Sequence, residues 1–96
     1  MSIVNIALQI VPKTKTVHPY DVVDKAIEII KASGVKYVVC PFETVMEGEY
    51  EQLMEIVDKT QAVCLESGAD ELLVYIKIQR RKDSDVFIDE KTGKYS

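Results

Sequence analysis

Histidine and cysteine are scarce in this sequence, and their scarcity limits the chemistry open to it. There is one histidine, His18, and there are two cysteines, Cys40 and Cys64, among 96 residues. Nucleophilic catalysis needs a base beside a serine or cysteine, and a structural zinc site needs about four nitrogen or sulfur ligands. His18 lies in a polar loop before Pro19, which is typical of a solvent-exposed residue leading into a helix. We therefore expect no catalytic residues, no enzyme activity and no metal site.

Long apolar runs and clustered basic residues are also missing. No segment reaches the roughly 18 apolar residues of a membrane-spanning helix, and no signal-peptide pattern precedes the first strand. The net charge is −4, and the one basic run is Arg80–Lys82. We expect neither a membrane nor a nucleic acid as a partner. Both cysteines lie within apolar segments, which is typical of reduced core residues in a cytoplasmic protein.

The chain is long enough for one domain, which we assign to residues 1–96. Hydrophobic residues make up 47% and charged residues 29%, which is a globular balance. A domain of this size buries only roughly 60–65% of the surface of its unfolded chain, so association with another subunit would add stability.

Two periodicities divide the chain into elements. Alternation of apolar and polar residues predicts strands, and apolar residues spaced three and four apart predict amphipathic helices. The first strand is expected to stop at Pro12, because proline has no N–H to donate to a ladder. The apolar run at 35–40 is expected to be a central strand that forms a hairpin with the next. The strands are predicted at 3–11, 35–40, 44–49 and 72–79, and the helices at 20–33 and 49–67.

This β-α-β-β-α-β order predicts an α+β, ferredoxin-like sandwich, a four-stranded antiparallel sheet with two helices on one face. A short extra C-terminal strand is expected at 86–88, followed by a mobile polar tail at 89–96. The face without helices should be largely apolar, so we expect it to pack on a copy of itself in a homodimer or homotetramer. That face would carry Ile3, Asn5, Ala7, Gln9, Leu73 and Tyr75.

The segment YVVCPFETVMEGE, residues 37–49, places Glu43, Thr44 and Glu47 between two core elements. One interpretation is a solvated hairpin. The other is a site for a nitrogen-rich, cationic ligand, because carboxylates accept hydrogen bonds from amino groups and a tyrosine such as Tyr37 stacks on a heteroaromatic ring. Asn5 and Gln9 could complete the polar edge of that site or hydrogen-bond across a subunit interface.

Four motifs together resemble the thiamine-binding protein family, also catalogued as UPF0045. They are IVP at 10–12, IKASGVKY at 30–37, P-x-x-T-V-x-EGE at 41–49 and IKI-x-RRKD at 76–83. The resemblance implies a ferredoxin-like domain that associates through its sheet. It also implies a non-catalytic protein, with no other cofactor, that binds thiamine or its hydroxymethylpyrimidine moiety. By position, it implies that Tyr37, Thr44 and Glu47 contact the ligand.

The residues and the resemblance together give one main hypothesis and two alternatives. The main hypothesis is a binding site at the sheet face, near a subunit interface. The alternatives are an assembly or regulatory module without a vitamin ligand, and a small metal-dependent enzyme whose carboxylates hold a hard cation. The ligand-binding residues of the main hypothesis are Tyr37, Thr44, Glu47, Gln9, Glu43 and Asn5.

Overall fold

A computed structural model describes residues 2–93, and in it the two long helices and four strands follow the predicted order. The strands form one sheet in the order β2-β3-β1-β4, and all three neighbouring pairs are antiparallel. This topology confirms the predicted ferredoxin-like α+β fold. The elements are β1 (Ile3–Thr14), α1 (Pro19–Ser33), β2 (Lys36–Val39), β3 (Thr44–Glu49), α2 (Tyr50–Glu66), β4 (Ala69–Gln79) and α3 (Ile88–Thr92).

The hydrophobic core lies between one face of the sheet and the two long helices. Val4, Ile6 and Leu8 alternate along β1, so all three point to this face, and each is at most 3% exposed. Side chains from both helices complete the cluster, namely Ile30 of α1 and Leu53, Ile56 and Val57 of α2. No helix within residues 2–93 combines the length and apolarity needed to cross a membrane.

The ends of α1 follow from local chemistry. Exposed His18 precedes the helix, and its Nδ1 accepts a hydrogen bond from the Tyr20 N–H at 3.1 Å. Pro19 occupies the first turn, where a missing N–H costs nothing. The helix ends at Gly34, whose φ of 82° is in the left-handed region that glycine enters without a Cβ clash. The predicted position of His18, exposed at the start of a helix, is confirmed.

Two predictions about the strands were wrong. β1 continues through Pro12 to Thr14, because beyond Leu8 it pairs only with β4, and a strand with one free side tolerates a residue that lacks a donor. β2 is an edge strand, since β1 occupies the other side of β3. Its residues Val38 and Val39 are accordingly 40% and 52% exposed.

The extra C-terminal strand was also predicted wrongly. The N–H of Val86 does bond to the carbonyl of Ile3 at 3.0 Å, beyond the end of β4, but the backbone then turns into the short helix α3. Glu90 favours this turn, because its carboxylate accepts the N–H of Phe87 at 2.9 Å and so caps the first turn. The first residues of the predicted tail therefore lie in a helix, and 94–96 lie outside the described residues.

Candidate ligand site on the open face of the sheet

The face of the sheet opposite the long helices, which we call the open face, carries two short rows of side chains. Strand register sets them side by side, because residues that pair across an antiparallel ladder share a face. One row is mainly apolar and the other is polar. The apolar row is Val38, Val45, Ala7 and Lys77, and the polar row is Lys36, Glu47, Asn5 and Gln79.

Residues 85–92, the C-terminal segment, lie over the polar row. The side-chain amide of Asn5 donates to the carbonyl of Val86 at 2.9 Å, and its Oδ1 accepts from Lys91 Nζ at 2.8 Å. Oε1 of Glu47 accepts the N–H of Ile88 at 2.7 Å. Asn5 is only 3% exposed, so both of its hydrogen-bonding groups are satisfied by this segment.

Apolar burial and ion pairs hold the same segment in place. Val86 is fully buried against the sheet and Ile88 is 4% exposed. Arg81 donates one hydrogen bond to each carboxylate oxygen of Glu90, both at 2.9 Å. These bonds, followed by the N–H of Phe87, lower the pKa of Glu90 below its ordinary value. The segment is therefore a packed part of the domain.

A cavity of about 340 Å³ lies beside the C-terminal segment, over the apolar row. This volume falls at the lower end of the roughly 300–1,000 Å³ found for small-molecule sites. Ala7, Val38 and Val45 belong to its floor on the sheet. The segment contributes Ile88, Lys91 and Thr92 to its lining. We call this space the open-face cavity.

An ion pair between Glu43 and Lys77 crosses one end of the open-face cavity. Their Oε1 and Nζ atoms are 3.0 Å apart. Glu43 precedes β3 and Lys77 lies on β4, so the pair must pass over the intervening strand β1, where the partner of Lys77 is the small Ala7. The Glu43 side chain is 25% exposed and that of Lys77 is 74% exposed. The carboxylate is thus the more enclosed of the two charges.

The turn between β2 and β3 positions Glu43. The N–H of Cys40 donates to the carbonyl of Glu43 at 2.8 Å, which closes a four-residue turn around Pro41 and Phe42. Because Pro41 fixes one backbone angle, the turn is stiff, and it holds its last residue, Glu43, just before the start of β3.

The six predicted ligand-binding residues do not all meet in one place. Asn5 and Glu43 line the open-face cavity. Glu43 also borders a second hollow, of about 230 Å³, between α1 and the hairpin turn, together with Gln9 and Thr44. The Oε1 atom of Glu47 is engaged by the C-terminal segment instead of facing either space.

Tyr37 and Thr44 lie on the helix-covered side of the sheet. Tyr37 pairs with Met46, a fully buried core residue, and packs against the main hydrophobic cluster. Thr44 pairs with Leu8 and is 7% exposed. Strand alternation places both on the face opposite the open-face cavity, so the structure separates them from Asn5.

Sequence reasoning passed over the two lysines of the open-face cavity. Lys77 follows Leu73 and Tyr75 at every second position of β4, and this period-two pattern alone places all three on the open face. Lys91 carried no comparable signal, because its position depends on the fold of the C-terminal segment. Its contact with Asn5 joins residues 86 positions apart.

The described residues offer little for metal or thiol chemistry. Within 2–93, no group of three or more His, Cys, Asp or Glu side chains is placed to hold a metal ion. Both cysteines are free. Burial raises the pKa of the Cys64 thiol, which makes it less reactive.

Comparison with known proteins identifies the family. The family model described as "Thiamine-binding protein" matches residues 6–96. A UPF0045 protein of Clostridium perfringens is 46% identical over 95 residues, covering 99% of each chain. A second UPF0045 protein, from Methanothermobacter thermautotrophicus, is 31% identical over 67 residues, covering 69% of this chain and 68% of its own.

Solved structures agree in fold and sequence. A domain of unknown function, DUF77, from Bacillus cereus has a TM-score of 0.96 and 43% identity, covering 99% of this chain and 91% of its own. A Thermotoga maritima protein, provisionally assigned to thiamine biosynthesis or salvage, has a TM-score of 0.88 and 30% identity, covering 98% and 99%. With the motifs and the sheet topology, these matches show that the chain belongs to the thiamine-binding protein family, UPF0045.

Proposed function

We propose that this protein binds thiamine or its hydroxymethylpyrimidine moiety in the open-face cavity without converting it. The observation that carries the proposal is the enclosed carboxylate of Glu43 at the edge of an apolar floor, in a chain of the thiamine-binding family. An aminopyrimidine ring is flat and apolar on its faces, and it has an exocyclic amine at its edge. The cavity offers a complementary surface to each part.

Each part of the ligand has a proposed contact. The ring lies on Ala7 and Val45, and the exocyclic amine donates to the carboxylate of Glu43. Asn5 acts indirectly, because its side chain fixes the C-terminal segment that forms one wall. Binding of the amine requires Lys77 to move away from Glu43, which costs little because the ammonium group is mostly exposed.

Gln9 and Thr44 remain candidates at the second hollow. That hollow shares Glu43 with the open-face cavity, so a longer ligand such as thiamine could reach from one to the other around the hairpin turn. Tyr37 and Glu47 are then supporting residues, Tyr37 by packing behind the sheet and Glu47 by holding Ile88.

We further propose that the protein assembles through the open face. Leu73 and Tyr75 are 40% and 55% exposed on this face, beyond the C-terminal segment. Exposed apolar residues in a contiguous patch favour burial against another subunit. A homodimer, or a homotetramer built from two dimers, would place the open-face cavity near the interface. Two free thiols are consistent with our proposal of a reducing, cytoplasmic environment.

Isothermal titration calorimetry with thiamine and with hydroxymethylpyrimidine tests the binding proposal. We expect heat from at least one of them at ligand concentrations up to millimolar, and mass spectrometry should recover the ligand unchanged. Ala7→Leu should abolish the heat by filling the floor of the cavity. Val11→Leu enlarges another residue of the same face of β1, outside the cavity, and should leave binding intact.

Two results would overturn the proposal. Absence of heat from both ligands, with a folded oligomer, would favour the assembly module. Stoichiometric metal in the purified protein, lost in Glu47→Gln, would favour the metal-dependent enzyme.

A further inference from the structure

The charges around the open-face cavity favour a ligand that carries an anion as well as an amine. Among the described residues, its lining contains three charged side chains. Two of them, Lys77 and Lys91, are positive, and Glu43 is negative. A site selected for a cation alone would place carboxylates in excess, because each uncompensated ammonium repels the ligand.

Lys91 is positioned by a neutral acceptor. Among the described residues, its hydrogen-bond partner is the uncharged Oδ1 of Asn5, at 2.8 Å. Asn5 is itself buried and is oriented by its bond to the Val86 carbonyl, so the acceptor is fixed. The nearest carboxylate in sequence, Glu90, accepts hydrogen bonds from the two terminal guanidinium nitrogens of Arg81. The ammonium of Lys91 therefore keeps donors and charge available to the cavity.

Lys77 and Glu43 present opposite charges side by side. Nζ of Lys77 and Oε1 of Glu43 are 3.0 Å apart at one end of the cavity. A ligand with an amine and an anion on substituents of adjacent ring carbons would replace this ion pair by two new ones, amine to Glu43 and anion to Lys77. In hydroxymethylpyrimidine the exocyclic amine and the hydroxymethyl group are on adjacent ring carbons. A phosphate on that hydroxymethyl oxygen supplies the anion.

We propose that the open-face cavity selects a phosphate ester of the aminopyrimidine alcohol over the free alcohol, with Lys77 and Lys91 holding the phosphate. This inference rests on the proposed function, and it names the form of the ligand. The ammonium groups act as compact point charges, which suits them to phosphate oxygens. Glu43 takes the amine in both forms, so the lysines determine specificity.

Calorimetry on the full chain at low ionic strength tests this with hydroxymethylpyrimidine, its monophosphate and inorganic phosphate as probes. We expect the monophosphate to bind about tenfold tighter or better than the alcohol, as one or two charge-assisted hydrogen bonds would give. Inorganic phosphate alone should bind far more weakly than the ester, because it lacks the ring. The preference for the ester should shrink as salt is added.

Lys77→Gln and Lys91→Gln probe the two lysines. Glutamine keeps a donor for the Glu43 and Asn5 contacts and removes the charge. The ratio of ester to alcohol affinity, measured within each variant, should fall towards one. Lys13→Gln is the matched control, since Lys13 is another open-face strand lysine paired with a glutamate, Glu71, at 3.3 Å. It should keep the full ratio.

The possible failures are distinct. Equal affinity for ester and alcohol would overturn the phosphate inference and leave the proposed function intact. A preference for the ester that survives in both lysine variants would also overturn the phosphate inference alone. The same holds if inorganic phosphate binds as tightly as the ester. No binding of the alcohol or the ester would overturn the proposed function and this inference together.

Discussion

Glu47 and Ile88 are 41 residues apart in sequence, yet the carboxylate of the first accepts the backbone N–H of the second at 2.7 Å. The bond sits where α3 begins, between β3 and the C-terminal segment. Glu47, which was predicted to contact the ligand, thus makes a hydrogen bond that holds two parts of the domain together. Its strength can be measured separately from binding.

Removing that acceptor should loosen the C-terminal segment. We expect Glu47→Ala to lower the free energy of unfolding by about 1–3 kcal/mol, the usual cost of leaving a partly buried donor without its charged acceptor. Glu47→Gln keeps an oxygen in the same place and should cost less. Urea unfolding gives the energies, and hydrogen exchange at the Ile88 amide locates the effect. Equal losses in the two variants would contradict the role of the hydrogen bond.

Acid should loosen the segment through Glu90. Arg81, and then the Phe87 N–H, lower the pKa of this carboxyl from its ordinary value of 4.5. A group whose pKa is lowered in the folded state stabilises it fully above the unfolded pKa and loses that effect as the pH falls through the folded pKa. The amide chemical shift of Phe87, which donates to Glu90, should therefore begin to change below pH 4.5.

Glu90→Gln tests the acid response, because glutamine does not titrate. We expect the pH dependence of the Phe87 amide shift to flatten in the variant. Glu28 is another exposed glutamate in an ion pair, with Lys25 as its partner. Glu28→Gln should therefore retain the wild-type pH dependence of the Phe87 amide shift. An unchanged profile in Glu90→Gln would assign the acid response to other carboxyl groups.

Gly68 should not tolerate a side chain. Its φ is 114°, and a Cβ built there would lie 2.7 Å from Cγ2 of Val17. Gly68→Ala should cost about 1–3 kcal/mol of unfolding free energy from backbone strain and the clash. Gly34→Ala, at φ 82° with no atom within 4 Å of the built Cβ, measures strain alone and should cost less. Val17→Ala should partly rescue Gly68→Ala in a double-mutant cycle.

Assembly through the open face predicts a size change. The wild type should elute as a dimer or tetramer at micromolar concentration, and replacing both Leu73 and Tyr75 with aspartate should yield a 10.9 kDa monomer. Phe42→Asp removes an aromatic that is 80% exposed at the hairpin turn and should leave the oligomer intact. A wild-type monomer in light scattering would refute assembly through this face.

The fold was predictable because the alternation in β1 and β4 reports the two faces of each strand locally, whereas the continuous apolar run of β2 does not and was wrongly assigned to a central strand. β1 reads apolar at Val4, Ile6 and Leu8, and these are the buried positions. The same alternation explains where the site prediction weakened. Thr44 shares a face with Met46, and Glu47 shares a face with Val45. The two predicted ligand contacts of β3, three positions apart, therefore point to opposite sides of the sheet.

Contacts between residues far apart in the chain could not be predicted from local sequence patterns. Residues 80–93 are mostly polar, and their docking depends on single side chains of β1 and β3. Asn5 meets Val86 across 81 residues of sequence. Likewise, the approach of Glu43 to Lys77 needs the relative register of two strands that are not neighbours. Periodicity carries no information about either.

The docking of the C-terminal segment has a consequence for the order in which the two faces of the sheet are completed. Ile3 and Asn5 lie in β1, yet their partners Asp85, Val86 and Lys91 are 81 to 86 residues further along the chain. Until that segment docks, the amide of Asn5 has to remain hydrated, because its hydrogen bonds among the described residues are to this segment. The helix-covered core uses none of these bonds, so it can form while the opposite face of the sheet is still hydrated.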